Sequence, residues 1–159
     1  MKRFIPFAAL ALVAGFAFAQ AADDNVFIND FTKGVGKWVV KGTHTQDAEG
    51  LKITKTEQFG GIGIETYNKL YDLSAYKTID FAMENGTDKP IEFTFKIKSG
   101  KTSARTDDKI KKLAPGAHTV SFTLEGGDID LKEVNYIRIW TATTGDTKLT
   151  IKKASFTAK

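Results

Sequence analysis

Apolar and polar positions alternate with period two along most of the chain. The alternation is clearest in LKITKT (51–56), GIGIET (61–66), TIDFAMEN (78–85), IEFTFKIK (91–98), HTVSFTLE (118–125), NYIRIWTA (135–142) and KLTIKKASF (148–156). Side chains two apart share one face of a strand, so each segment predicts a strand with a dry face and a wet one. Turn-forming pairs separate the segments: Gly60-Gly61, Asn85-Gly86, Lys89-Pro90, Ser99-Gly100, Pro115-Gly116, Gly126-Gly127 and Gly145-Asp146. Alternation, as opposed to continuous apolar runs, argues for antiparallel sheets. Strands at this spacing predict an all-β, antiparallel two-sheet β-sandwich. DLSAYKT (72–78) and DIDLKEV (128–134) fit short helical turns. KTSARTDDKIKK (101–112) mixes both charge signs and reads as a mobile connection, with an acidic glycan or anionic surface as an alternative partner.

The dry face follows from the phase of each strand. Ile79, Phe81 and Met83 line one strand, and Phe93, Phe95 and Ile97 the next. Val120, Phe122 and Leu124 follow, then Ile137 and Ile139, then Leu149 and Ile151. Phe and β-branched residues are what a sandwich interior uses. Trp38, after a Gly-rich turn, is expected to pack in the core or at a sandwich end.

The first 21 residues do not fit this pattern. Lys2 and Arg3 precede a run of Ala, Leu, Val and Phe that ends in small residues, with Ala19-Gln20-Ala21 as a cleavage site and Ala17-Phe18-Ala19 as a second. This is the pattern of a secretory signal peptide over residues 1–21; a membrane anchor is the rival reading. Cleavage would start the mature chain at Ala22, or at Gln20, and leave a single domain over 22–159. The expected location is secreted or periplasmic, with no membrane span after cleavage. The chain has no Cys, so its fold does not depend on the redox state of its compartment. Loss of Lys2 and Arg3 lowers the formal charge from +4 to about +2, too small a bias to argue for nucleic acid.

The sequence also resembles a known family. FINDFTKGVGKW (27–38), EGLKIT (49–54), FGGIGIET (59–66), YDLSAYKTIDFAMEN (71–85) and the strands up to LTIKKASF resemble the jelly-roll carbohydrate-binding modules with a galactose-binding-like fold. The resemblance implies that the concave sheet face binds a glycan, with aromatic rings stacking on sugars and charged side chains bonding their hydroxyls. Many such modules hold a structural calcium between the opening strand and an Asp in the last strand. Here Asn29 and Asp30 stand in the opening strand, but Lys152 and Lys153 stand where the acid is expected. An ammonium repels Ca²⁺, so no metal and no cofactor is expected; a Lys152–Asp30 pair is the alternative occupant of that space.

Candidate ligand contacts follow from phase and resemblance together. With Ile137 and Ile139 inward, Tyr136, Arg138 and Trp140 point outward. Neighbouring strands are expected to add Asp80 and Glu84, and Glu92, Thr94 and Lys96, while Tyr67 and Tyr71 rim the cleft. The plainer reading is that Trp140 packs beneath a loop and Arg138 makes a surface ion pair with Asp80 or Glu92. His44 and His118 do not fall in a metal-ligand spacing. SGKTS (99–103) lacks the first Gly of a phosphate loop, and Asn85-Gly86-Thr87 reads as a turn more readily than as a glycosylation site. No pair of carboxylates, Cys nucleophile, Ser-His-Asp set or zinc motif stands out, so an enzyme is not expected. The expected partner is a polysaccharide or oligosaccharide; the alternative is a structural or protein-interaction domain of the cell envelope, binding an envelope protein and no sugar.

Overall fold

The computed structural model describes residues 25–56, 60–66, 68–101, 103, 105–141 and 144–159, with only the backbone described for Arg105. The candidate signal segment, its cleavage site and Tyr67 therefore lie outside the described residues. Eleven strands are described: β1 (Asn29–Asp30), β2 (Val39–Lys41), β3 (Thr43–Asp47), β4 (Gly50–Thr56), β5 (Gly60–Glu65), β6 (Tyr76–Asn85), β7 (Ile91–Ser99), β8 (Arg105–Leu113), β9 (Gly116–Thr123), β10 (Val134–Thr141) and β11 (Gly145–Ala158). A single 3-10 turn, Leu131–Glu133, precedes β10 and is capped by the Asp130 carboxylate, which accepts from the Lys132 amide. No helix among the described residues is long and apolar enough to cross a membrane.

The strands form two antiparallel sheets. One runs β3-β4-β11-β6-β9, with β1 paired to the second half of β11; the other runs β2-β5-β10-β7-β8. The alternating apolar residues meet between them. Ile79, Phe81, Met83, Phe93, Phe95, Ile97, Phe122, Ile137, Ile139 and Ile151 are all buried, as their phase predicts. Phe95 of β7 stacks on Phe122 of β9 with ring centroids 4.8 Å apart, which joins the two sheets directly. Trp38 is buried, edge-on to Phe31 and Phe81 at 5.8 and 5.9 Å, and serves the core.

Two β-bulges set the phase of the long strands. Val134 and Ile137 are three residues apart, yet both face inward, because Asn135 bulges out of the β7–β10 register. Ile151 and Ala154 are likewise both buried across a register shift at Lys152. An extra residue in one strand restores the alternation on the opposite phase. The buried Asn135 amide is held in place: its Nδ2 donates to the Gly100 carbonyl at 2.8 Å, and its Oδ1 accepts from the Ser103 hydroxyl at 3.2 Å.

Two expectations are corrected. Residues 105–113 are not a connection but the edge strand β8, paired with β7 along its length. The 72–78 segment forms one hydrogen-bonded turn, the Tyr76 amide donating to the Leu73 carbonyl at 3.0 Å, and runs straight into β6, while 128–134 holds the 3-10 turn. Asn85 is buried and serves the β6–β7 turn, donating to the Lys89 and Leu113 carbonyls and accepting from Thr87.

Candidate functional site

The Asn135 bulge aims the next three alternate residues out of the sandwich. Tyr136, Arg138 and Trp140 stand half-buried in a row on β10, the central strand of its sheet. Each has a fixed neighbour on either side. Tyr136 lies between Glu65 and Lys98, Arg138 between Gly63 and Lys96, and Trp140 between Gly61 and Thr94. The outward residues of the edge strand β8, Thr106, Asp108 and Ile110, continue the same rows.

The glycines on β5 shape this face. A Cβ at Gly61 would come within 2.1 Å of the Ile139 carbonyl oxygen, and a Cβ at Gly63 within 2.9 Å of the Arg138 Cγ. The first admits close backbone approach; the second lets the Arg138 side chain lie across the strand. A groove of about 180 Å³ opens there, lined by Val39, Lys41, Gly63, Glu65, Tyr136 and Arg138. Val39 at its edge is 62% exposed.

Cations sit close to both rings. Lys98 Nζ is 4.4 Å from the Tyr136 centroid, and Lys96 Nζ and the Arg138 guanidinium carbon are each 5.5 Å from the Trp140 centroid. Lys96 also pairs with Asp108 at 3.2 Å, and Lys112 approaches Glu92 at 4.0 Å. The face can therefore offer ring edges and faces, a guanidinium and several ammonium groups at once.

The structure gathers some of the expected residues and separates others. Tyr136, Arg138, Trp140, Thr94, Lys96 and Glu92 share one face. Asp80 and Glu84 do not: β6 belongs to the other sheet, so an Arg138–Asp80 pair does not form. Asp80 instead accepts from the Thr78 and Thr157 hydroxyls at 3.0 and 2.6 Å, and Glu84 pairs with Lys152 at 2.8 Å. The expectation took consecutive strands as neighbours, whereas the chain changes sheet at the turn between β6 and β7. Tyr71 is drawn toward the core, where its ring meets Phe27 edge-on at 5.3 Å and its backbone bridges to Val134. Lys98, Gly61, Gly63, Lys41, Glu65 and Asp108 join the face without having been singled out. Gly61 and Gly63 carried a usable signal, since two alternate glycines inside a strand mark close approach.

The opening and closing strands are also resolved. Asn29 pairs in register with Ala154 and Asp30 with Lys153. Asp30 is occupied by the Thr32 hydroxyl and amide and by Lys33 at 3.4 Å, and these hold its carboxyl below the usual range. The Lys152–Asp30 pair is thus replaced by Lys152–Glu84.

Solved structures share this fold. An exo-β-agarase matches over 84% of this chain and 25% of its own, at 11% identity and a TM-score of 0.62. The family 11 carbohydrate-binding module from Clostridium thermocellum, in complex with a β-1,3-1,4-mixed-linked tetrasaccharide, matches over 82% of this chain and 94% of its own, at 15% identity and a TM-score of 0.57. The fold is that of a jelly-roll carbohydrate-binding module. A Clostridium thermocellum xylanase comprising a carbohydrate-binding module and a catalytic module, complexed with xylohexaose, matches this carbohydrate-binding-module fold over 82% of this chain and 28% of its own, at 13% identity and a TM-score of 0.54. The chain spans about a quarter of the length of the agarases it matches. No family model and no curated protein matches the sequence.

Proposed function

We propose that this is an exported, non-catalytic carbohydrate-binding protein, secreted or periplasmic, that takes a glycan on the outer face of the β2-β5-β10-β7-β8 sheet. One observation carries the reading: a Tyr-Arg-Trp row is held outward on the central strand, beside a groove floored by glycine. An aromatic ring that is half-buried on a sheet gives little to the core and much to a ligand that stacks on it. Carbohydrate-binding modules that share the fold support the reading, one of them in complex with an oligosaccharide. The export reading rests on the pattern of residues 1–21.

The test pairs a glycan-array screen with variants. Trp140→Ala is expected to abolish binding to the best array ligand and leave the melting temperature within a few degrees of wild type. Arg138→Lys keeps the charge but loses the planar fork, and is expected to weaken binding at unchanged stability. Loss of about 3–5 kcal/mol in Trp140→Ala, as for a buried Trp, together with no glycan bound by the wild type, overturns the proposal. That outcome favours the second reading, a structural or protein-interaction domain of the cell envelope. Val39 and Ile110 favour that reading, since they are exposed at 62% and 63% on the two edge strands of the same sheet.

A further inference from the structure

The cations around Tyr136 and Trp140 bear on which glycan the face takes. A neutral sugar stacks through its C–H bonds on an open ring. Here Lys98 is held 4.4 Å from the Tyr136 centroid, and Lys96 and Arg138 each 5.5 Å from that of Trp140. Each cation is within cation–π range of its ring, so a neutral sugar stacking from the same side must displace it and recovers only hydroxyl hydrogen bonds from it, whereas an anionic sugar pairs with its charge.

A second observation is independent of the rings. Lys96 and Arg138 are direct cross-strand partners on β7 and β10. Like charges placed opposite one another across a sheet cost stability. Asp108 offsets this by pairing with Lys96 at 3.2 Å from β8. Lys98, one residue pair along, has no carboxylate at ion-pair distance among the described residues. Lys41 lines the groove on β2 and Lys112 stands on β8, 4.0 Å from Glu92, so that among the described residues of this face five cations, from one edge of the sheet to the other, outnumber the three carboxylates Glu65, Glu92 and Asp108. Five strands at about 4.8 Å spacing place that series over roughly 19 Å, the scale of a polymer lying across the strands and not of a single ion.

Resting on the glycan-binding reading above, we propose that the ligand of this face is an anionic polysaccharide, whose carboxylate or sulfate groups pair with Lys96, Lys98 and Arg138 while its rings contact Tyr136 and Trp140. Carboxylate and sulfate are alike to an ammonium, and the assay separates them.

The experiment titrates the full chain against polygalacturonate, dextran sulfate, xylan and mixed-linkage β-1,3-1,4-glucan, at low and at physiological salt. The expected result is binding to one or both anionic polymers that weakens with salt and is at least tenfold tighter than to either neutral one. Lys96→Gln combined with Lys98→Gln is expected to reduce that binding tenfold or more. Asp108→Asn is expected to strengthen it, because it releases Lys96 from its carboxylate; a gain cannot come from misfolding. Binding to polygalacturonate alone assigns a uronate ligand, and binding to dextran sulfate alone a sulfated one. Tight binding to xylan or the mixed-linkage glucan, unchanged in the lysine variant, overturns the anionic assignment and leaves the glycan-binding reading in place. Polyanion binding that survives both the lysine variant and Trp140→Ala reflects general charge and also overturns it. Absence of binding to all four polymers overturns it too, and the array screen then decides the glycan-binding reading separately.

Discussion

Phe95 and Thr94 are adjacent in the chain and face opposite ways. Phe95 is fully buried against Phe122, while Thr94 stands outward between Trp140 and Ile110. Phe95→Ala is expected to cost about 3–5 kcal/mol, through lost burial and the cavity left behind. Thr94→Ala is expected to cost less than about 1 kcal/mol, as changes on a wet face do. Denaturant melts of the two variants check this, and equal losses would contradict the register. At this scale the sequence was highly legible, because period two decides which side of a sheet a residue takes. Trp38 was legible too, since a large ring just after a Gly-rich turn has more to bury than to display. Lys98 was not, because one lysine among many on wet faces looks like any other until its ring partner is known.

Among the elements, the bulges were written in the sequence as slips of phase. Val134 and Ile137, like Ile151 and Ala154, are apolar residues three apart in stretches that otherwise alternate by two. A strand can bury both members of such a pair only by bulging between them. The buried Asn135 stabilises its bulge through two partly buried hydrogen bonds. Asn135→Ala is expected to cost about 1–3 kcal/mol, the penalty for leaving the Gly100 carbonyl and Ser103 hydroxyl without that partner. Urea melts measure the loss, and an unchanged midpoint would mean that water replaces the amide at no cost. The edge strand β8 was hidden for a physical reason. Among its described residues only Leu113, at its end, is buried and apolar; two of its inward-leaning residues are Asp107 and Lys109, which pair with each other, and inward charge is a common device for protecting an exposed edge. The same device removes the apolar alternation by which a strand is recognised.

Over the whole molecule, the unreadable quantity was the sheet to which each strand belongs. Alternation separates inside from outside but is silent on which of two outer surfaces a residue reaches. Alternation and chain order therefore put Asp80 and Glu84 beside Arg138, whereas they lie across the sandwich. There Glu84 pairs with Lys152, and the ammonium's hydrogen bond and charge hold the Glu84 carboxyl below its usual range. The sign follows from linkage. A carboxyl with a lowered folded value is protonated first in the unfolded chain, so its contribution is complete above the ordinary value of 4.5 and is lost as pH falls through the folded value. Thermal melts of wild type and Glu84→Gln should thus differ at pH 7 and converge as the pH drops below about 4. A gap of constant size would show that the pair is not coupled to folding. The chain also holds two tryptophans in unlike settings: Trp38 is enclosed by rings, and Trp140 is half-buried on an outer face between cations. Their emission should accordingly separate, with the enclosed indole shorter in wavelength and blind to anything settling on the surface. The unlabelled protein then carries its own pair of optical channels, one reporting occupancy and both reporting collapse of the fold.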